Sequence, residues 1–77
     1  MAKMWLEGQP NRITYDSAQN ARRVECTIYT DGDSLPTTGE NVDGLMPTDI
    51  LEAGTVVYKM NTQAVYMLDS EGTYVEQ

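Results

Sequence analysis

The amino-acid sequence predicts a mainly β protein: a small antiparallel sheet that ends in a three-stranded meander, with at most one short helical turn. Three observations predict it. β-branched and aromatic residues alternate with other residues through positions 22–30 and again through the last third of the chain. Gly, Pro, Asn and Asp punctuate the sequence at short intervals, as turns require. The two segments with helical leanings, residues 16–21 and 47–51, are too short for more than a single turn.

Each element follows in order. Met4, Trp5 and Leu6 make a brief first strand, closed by the turn formers Gly8, Pro10 and Asn11. Residues 12–15 form a second, with Ile13 and Tyr15 on one face. Residues 16–21 read as a loop or one helical turn. Residues 22–30 are the clearest strand of this half: Val24, Cys26 and Ile28 fall on one face and Glu25, Thr27 and Tyr29 on the other. Asp31-Gly32 ends it. From residue 35 to 54, two prolines and three glycines mark a long irregular connection, with one possible helical turn over 47–51. Residues 54–60, 64–68 and 73–76 then form the antiparallel meander, with turns at Asn61-Thr62-Gln63 and Asp69-Ser70-Glu71-Gly72.

The register of the first hairpin, across residues 60–65, stays open. A four-residue turn sets Met60 against Val65 and Tyr58 against Met67; a three-residue turn sets Tyr58 against Tyr66. Either way both faces carry apolar residues: Val56, Tyr58 and Met60 on one, Val57 on the other. One face is covered by the N-terminal half, and the other invites a partner.

Seventy-seven residues make a single domain, residues 1–77. A chain this short buries only about 60% of the surface its unfolded form exposes. Phe is absent, Trp5 is the one tryptophan, and five tyrosines and five methionines carry much of the apolar bulk. The expected core is thin, and docking would add stability.

Five basic against twelve acidic residues give a net charge of −7. The basic residues are scattered, whereas nucleic-acid binding requires them clustered to displace counterions. The negative charge also disfavours anionic lipid, and no apolar run approaches the roughly 18 residues of a membrane span. The opening residues 1–7 are too short and polar for a signal peptide, so the chain is expected to be made in the cytoplasm. Nucleic acid, membrane and small-molecule substrates are therefore not expected partners.

Chemistry is limited by the residues that are missing. With no His, neither the commonest general base nor a Ser-His or Cys-His pair can be built. Cys26 alone makes neither a disulfide nor a four-ligand zinc site, and on an apolar strand face it reads as a small core residue. Asp31, Asp33, Glu40 and Asp43 crowd one region, but counting from Asp31 places Pro36 sixth and Val42 twelfth, which breaks the calcium-loop pattern. Leu35-Pro36-Thr37-Thr38-Gly39 spells a cell-wall sorting signal, yet no hydrophobic tail follows it, and the string reads as a turn. The expectation is a protein with no catalytic, cofactor or metal site.

Several short strings carry a resemblance. They are Trp5-Leu6-Glu7-Gly8-Gln9-Pro10-Asn11, Leu35-Pro36-Thr37-Thr38-Gly39, Ala53-Gly54-Thr55-Val56-Val57, Asn61-Thr62-Gln63-Ala64-Val65-Tyr66-Met67 and Gly72-Thr73-Tyr74-Val75. In this order the chain resembles small proteins encoded by phages and prophages of Gram-positive bacteria within the head and tail gene block. Asn61, Gln63 and Tyr74 stand where those proteins more often carry Asp, Gly and Trp. The resemblance implies a virion-associated structural role, such as a head fibre, decoration or head–tail accessory piece, made in the host cytoplasm. Its partners would be phage structural proteins or sister subunits in a homo-oligomer. The residues expected to make the contact are Trp5, Tyr58, Tyr66, Met67 and Tyr74, since Tyr, Trp and Met are enriched in interfaces. The competing expectation is a small acidic regulatory or inhibitory binding module.

Overall fold

The computed structural model describes residues 3–77; residues 1–2, part of the opening stretch considered above for a leader, lie outside the described residues. Among the described residues the chain forms nine strands and no helix. They are β1 (Met4–Leu6), β2 (Arg12–Asp16), β3 (Ala21–Glu25), β4 (Thr27–Thr30), β5 (Val42–Asp43), β6 (Ile50–Leu51), β7 (Val56–Lys59), β8 (Ala64–Leu68) and β9 (Tyr74–Glu76). A six-stranded sheet runs in the order β5-β1-β4-β7-β8-β9, and a three-stranded sheet in the order β2-β3-β6.

The C-terminal meander β7-β8-β9 is antiparallel, as the alternation and turn spacing require. The sheets as a whole are mixed, which corrects the expectation of a purely antiparallel arrangement. β1 pairs with β5, β3 with β6 and β4 with β7 in parallel. A parallel pair needs a crossover of a dozen or more residues. The irregular connection supplies it: residues 31–55 leave the end of β4 and return to the start of β7.

The strand expected over residues 22–30 divides at Cys26. Burial alternates without a break from Arg23 to Thr30, but β3 belongs to the small sheet and β4 to the large one. The loop 52–55 is fastened across this junction, with the Glu52 N–H donating to the Val24 carbonyl (2.9 Å) and the Val56 N–H to the Cys26 carbonyl (3.0 Å). Residues 47–51 contain no helical turn. Pro47 and Thr48 make a turn, and Ile50 and Leu51 run extended beside Arg23 and Val24.

Asp49 is what holds that segment in place. Its carboxylate is fully buried and accepts two bonds from the Arg22 guanidinium, at 2.9 and 2.6 Å, and one from the Met46 N–H at 3.0 Å. These bonds draw Pro47-Thr48 down onto β3 and leave Ile50 and Leu51 to pair in parallel.

The core gathers Val24, Cys26, Ile28, Val42, Leu51, Val57 and Leu68, with Met4, Leu6, Leu35, Leu45 and Tyr74 packed against it. Ile28 and Val57 face one another across β4 and β7 and are wholly buried. Burying each contributes about 2 kcal/mol. Leu35, Val42, Leu45 and Leu51 all come from the crossover, so this segment lies over one face of the large sheet.

The Cys26 thiol is buried at the junction, and burial pushes its pKa up to about 11. Thiolate is the reactive form. At pH 8, a thiol reagent is expected to leave the native protein unmodified and to label it stoichiometrically in urea. Stoichiometric labelling before the unfolding transition would mean that the two sheets separate at Cys26 without global unfolding.

Candidate contact surface

Strand register determines which side chains share the other face of the large sheet. Residues paired across a ladder lie on the same side, and neighbours along a strand alternate. Trp5 is paired with Asp43 on one flank and Tyr29 on the other. Tyr29 is paired with Tyr58, and Tyr58 with Val65. One row across five strands therefore reads Asp43, Trp5, Tyr29, Tyr58, Val65. The row beside it reads Thr27, Val56, Met67, Val75. The buried residues of this sheet, Ile28, Val42, Val57 and Leu68, all point the opposite way.

The aromatic rings form a continuous stack. The Trp5 and Tyr29 centroids are 5.8 Å apart with planes inclined by 29°, and Tyr29 and Tyr58 are 5.2 Å apart at 40°. Such offset pairs contribute about 0.5–1.5 kcal/mol beyond simple burial. Tyr58 nevertheless remains 39% exposed, Met67 40% and Val75 47%. Beside Tyr58 lies a hollow of about 380 Å³, and Tyr29, Met60, Ala64 and Val65 help line it. The Glu7 carboxylate sits beside the Tyr29 hydroxyl, whose pKa is raised by that hydrogen bond first and by burial second.

Of the residues nominated from sequence, Trp5, Tyr58 and Met67 come together on this open face. Tyr66 and Tyr74 lie on the other side. Tyr66 is paired with buried Val57, half-buried, and carries the Lys59 ammonium 5.6 Å from its ring centre. Tyr74 packs against the core and its hydroxyl donates to the Pro36 carbonyl; burial raises its pKa. Neither hairpin register considered from sequence occurs. The turn does have four residues, 60–63, but β7 ends at Lys59, so Lys59 meets Ala64, Tyr58 meets Val65 and Val57 meets Tyr66. Gln63 takes a positive φ of 58° to close that turn.

Tyr29, Val56, Val65 and Val75 complete the face and were not nominated. The signal for Tyr29 was present, since alternation through residues 22–30 puts it opposite Cys26 and Ile28.

The other motifs take structural roles. Thr38 bridges to Ile50 and Gly39 is buried, with its N–H donating to the Asp49 carbonyl at 2.8 Å. The sorting-signal string thus lies within the packed crossover. The acidic residues near it are dispersed: Asp31 accepts the Lys3 N–H, and Asp33 accepts from Asn61. Among the described residues no group of three potential metal ligands gathers. A second hollow, of about 310 Å³, lies beside Arg12, Arg23, Glu52 and Asp69, but Arg12 is paired with Glu52 and Arg23 with Asp16.

The fold defines a small two-sheet β protein with one sheet face open. No protein family's sequence profile matches the chain, and no curated protein and no solved structure matches it.

Proposed function

We propose that this chain is a phage-derived virion structural or accessory protein, which works without catalysis by pressing its open sheet face against capsid protein or sister subunits. The observation that carries this reading is the open-face row of half-buried Trp5 and Tyr29 and exposed Tyr58, continued by half-buried Val65 and flanked by half-buried Val56 and exposed Met67 and Val75. The resemblance of its short sequence strings to those of small phage head and tail proteins supports it. Large aromatic side chains anchor interfaces, and a contiguous exposed apolar patch marks a contact site.

Magnitudes favour an assembly over an isolated pair. Five strand spacings of about 4.8 Å give a face roughly 24 Å wide, and three or four residues along each strand give about 10–13 Å. Its outline is roughly 300 Å², well below the ~800 Å² per partner of a stable two-body interface. Such a face serves best as one of several contacts held together by a larger particle.

The test is mass spectrometry of particles purified from the genome that encodes the chain. The chain is expected in them at a fixed copy number. Tyr58→Glu, which removes a ring stacked on Tyr29 and places a charge in the open face, is expected to destabilise by about 1–2 kcal/mol, to leave the protein folded at 25 °C and to remove the chain from particles. Absence of the unmodified chain from particles would overturn the proposal; recovery bound to a host nuclease or polymerase instead would favour an acidic inhibitory module.

A further inference from the structure

We infer that this chain self-associates through the outer edge of β2, two copies pairing antiparallel about a two-fold axis at Thr14. This surface is separate from the open face of the large sheet, so the inference stands apart from whatever that face meets.

The four sheet edges differ in what they offer. β5 and β6 have two residues each, and Thr37 and Thr38 already bond to β6. β9 has three. β2 has five, lies at the margin of the small sheet, and keeps an unbroken register with β3. An exposed edge strand pairs with other chains unless Pro, Lys, a bulge or a cover blunts it. Arg12-Ile13-Thr14-Tyr15-Asp16 contains no Pro or Lys, and four of its five residues are exposed. Ile13 is 49% exposed and Tyr15 63%, which is unusual for large apolar side chains on a strand of this length.

The pairing of β3 determines which backbone groups of β2 are free. The Val24 carbonyl accepts from the Glu52 N–H on the β6 side, so Val24 turns its backbone away from β2. The bonds between β3 and β2 are then made by Arg23 with Thr14 and by Glu25 with Arg12, their partners in register. Ile13 and Tyr15 therefore aim their N–H and carbonyl groups outward. An axis at Thr14 sets Ile13 of each copy opposite Tyr15 of the other. Those two pairs exchange four backbone hydrogen bonds.

The same axis matches the side chains. Run antiparallel, the string Arg-Ile-Thr-Tyr-Asp is its own complement: Arg12 meets Asp16, Ile13 meets Tyr15, and Thr14 meets Thr14. Opposite charges, a β-branched residue with an aromatic one, and Thr with Thr are all stabilising cross-strand pairs. Arg12 can make the new contact, since its side chain is 62% exposed and lies 3.4 Å from Glu52. Asp16 holds Arg23 at 3.0 Å. Charges thus alternate across the junction, from Glu52 and Arg12 of one copy to Asp16 and Arg23 of the other. On the opposite side of the strand, Ile13 stands beside fully buried Val24. The four Ile13 and Tyr15 side chains form one apolar cluster between the two cores. A second copy satisfies hydrogen bonds, charge and apolar surface at once.

Cysteine placement tests the axis. Thr14→Cys brings two thiols together at a non-hydrogen-bonded pair, where Cα atoms about 4.5 Å apart suit a disulfide. Ile13→Cys and Tyr15→Cys each leave their thiols on a diagonal about 7–8 Å long, too far to bridge. In a glutathione redox buffer Thr14→Cys is expected to cross-link at least about tenfold faster than either neighbour, while buried Cys26 takes no part. Equal rates, or faster linkage at position 13 or 15, would overturn the inference. Sedimentation provides a second readout. Wild-type protein is expected to be monomeric at about 10 μM and to shift toward dimer at about 1 mM, as a contact of this size allows. Tyr15→Lys, which blunts the edge with an ammonium, should stay monomeric with wild-type circular dichroism. Tyr58→Glu should dimerise as wild-type protein does. A wild-type monomer at about 1 mM, an unchanged dimer in Tyr15→Lys, or a dimer lost in Tyr58→Glu would each sink the β2 pairing. A dimeric chain absent from particles would overturn the virion reading alone, and a strictly monomeric chain found in particles would overturn this one alone.

Discussion

Asp49→Ala is expected to lower the unfolding free energy by roughly 3 kcal/mol, because it leaves the Arg22 guanidinium without its partner inside the fold. A fully buried pair loses about 3–5 kcal/mol on such a truncation. Arg22 keeps 35% of its side chain exposed, and water screens part of the loss, which places this pair at the lower end. A domain of this size is stable by only about 4–11 kcal/mol, so the effect is large. Urea unfolding followed by Trp5 fluorescence measures it. A change below about 0.5 kcal/mol would mean that the crossover is held by its apolar contacts alone.

The same residue predicts a dependence on pH. The Arg22 hydrogen bonds hold the Asp49 carboxyl below its usual value; burial opposes this, and the Met46 N–H adds to the lowering. A folded-state pKa below the unfolded one contributes stability that is complete above the unfolded value of about 3.9 and is lost as pH falls through the folded value. Wild-type protein should therefore lose stability below about pH 4 more steeply than Asp49→Ala, and the two unfolding curves should converge on acidification.

Gly39→Ala is expected to destabilise by about 2–3 kcal/mol through overpacking. A Cβ there would lie 2.1 Å from the Met46 carbonyl oxygen, 2.9 Å from Leu45 Cβ and 3.1 Å from Asp49 Cβ. The nearest of these is backbone, which cannot swing aside as a side chain can. Gly39 is also bonded on both sides, donating to the Asp49 carbonyl and accepting from the Val42 N–H at 3.0 Å. In a domain this small the loss should lower the melting temperature by about 10–20 °C. Since Gly39 and Asp49 grip the same turn, the double substitution should cost less than the two single effects combined. Full additivity would show that the two anchors act independently.

Much of the fold was legible in the sequence because local chemistry specifies it. The meander is bounded by Asn61-Thr62-Gln63 and Asp69-Ser70-Glu71-Gly72, and the Asp69 carboxylate accepts the Glu71 and Thr73 N–H groups at 2.9 Å each. The alternation over residues 22–30 likewise marked Val24, Cys26 and Ile28 as core. What escaped depends on distant contacts. Ile50 and Leu51 are extended because β3 lies alongside and Asp49 reaches Arg22, 27 residues away in sequence. The division at Cys26 follows from partners that come from β6 and β7. The hairpin register depends on where β7 stops, and the Met60 N–H is drawn off to the Thr30 carbonyl at 2.8 Å. The same distinction holds for the contact surface. Parity along one strand brings Tyr58 into view, but only the β4–β7 register shows that Tyr29 stands beside it, or that Tyr66 and Tyr74 turn inward.

The parallel β4–β7 pair at the middle of the large sheet bears on how the chain folds during synthesis. Thr27 meets Val56 only after everything between them has been made, so the ladder that joins the two halves closes late. Proteins rich in such distant pairings fold in milliseconds to seconds rather than microseconds. Until closure, the β7 side of β4 offers unmatched amide and carbonyl groups to any neighbouring strand. A nascent or truncated copy ending before Val56 is therefore the species most prone to aggregate.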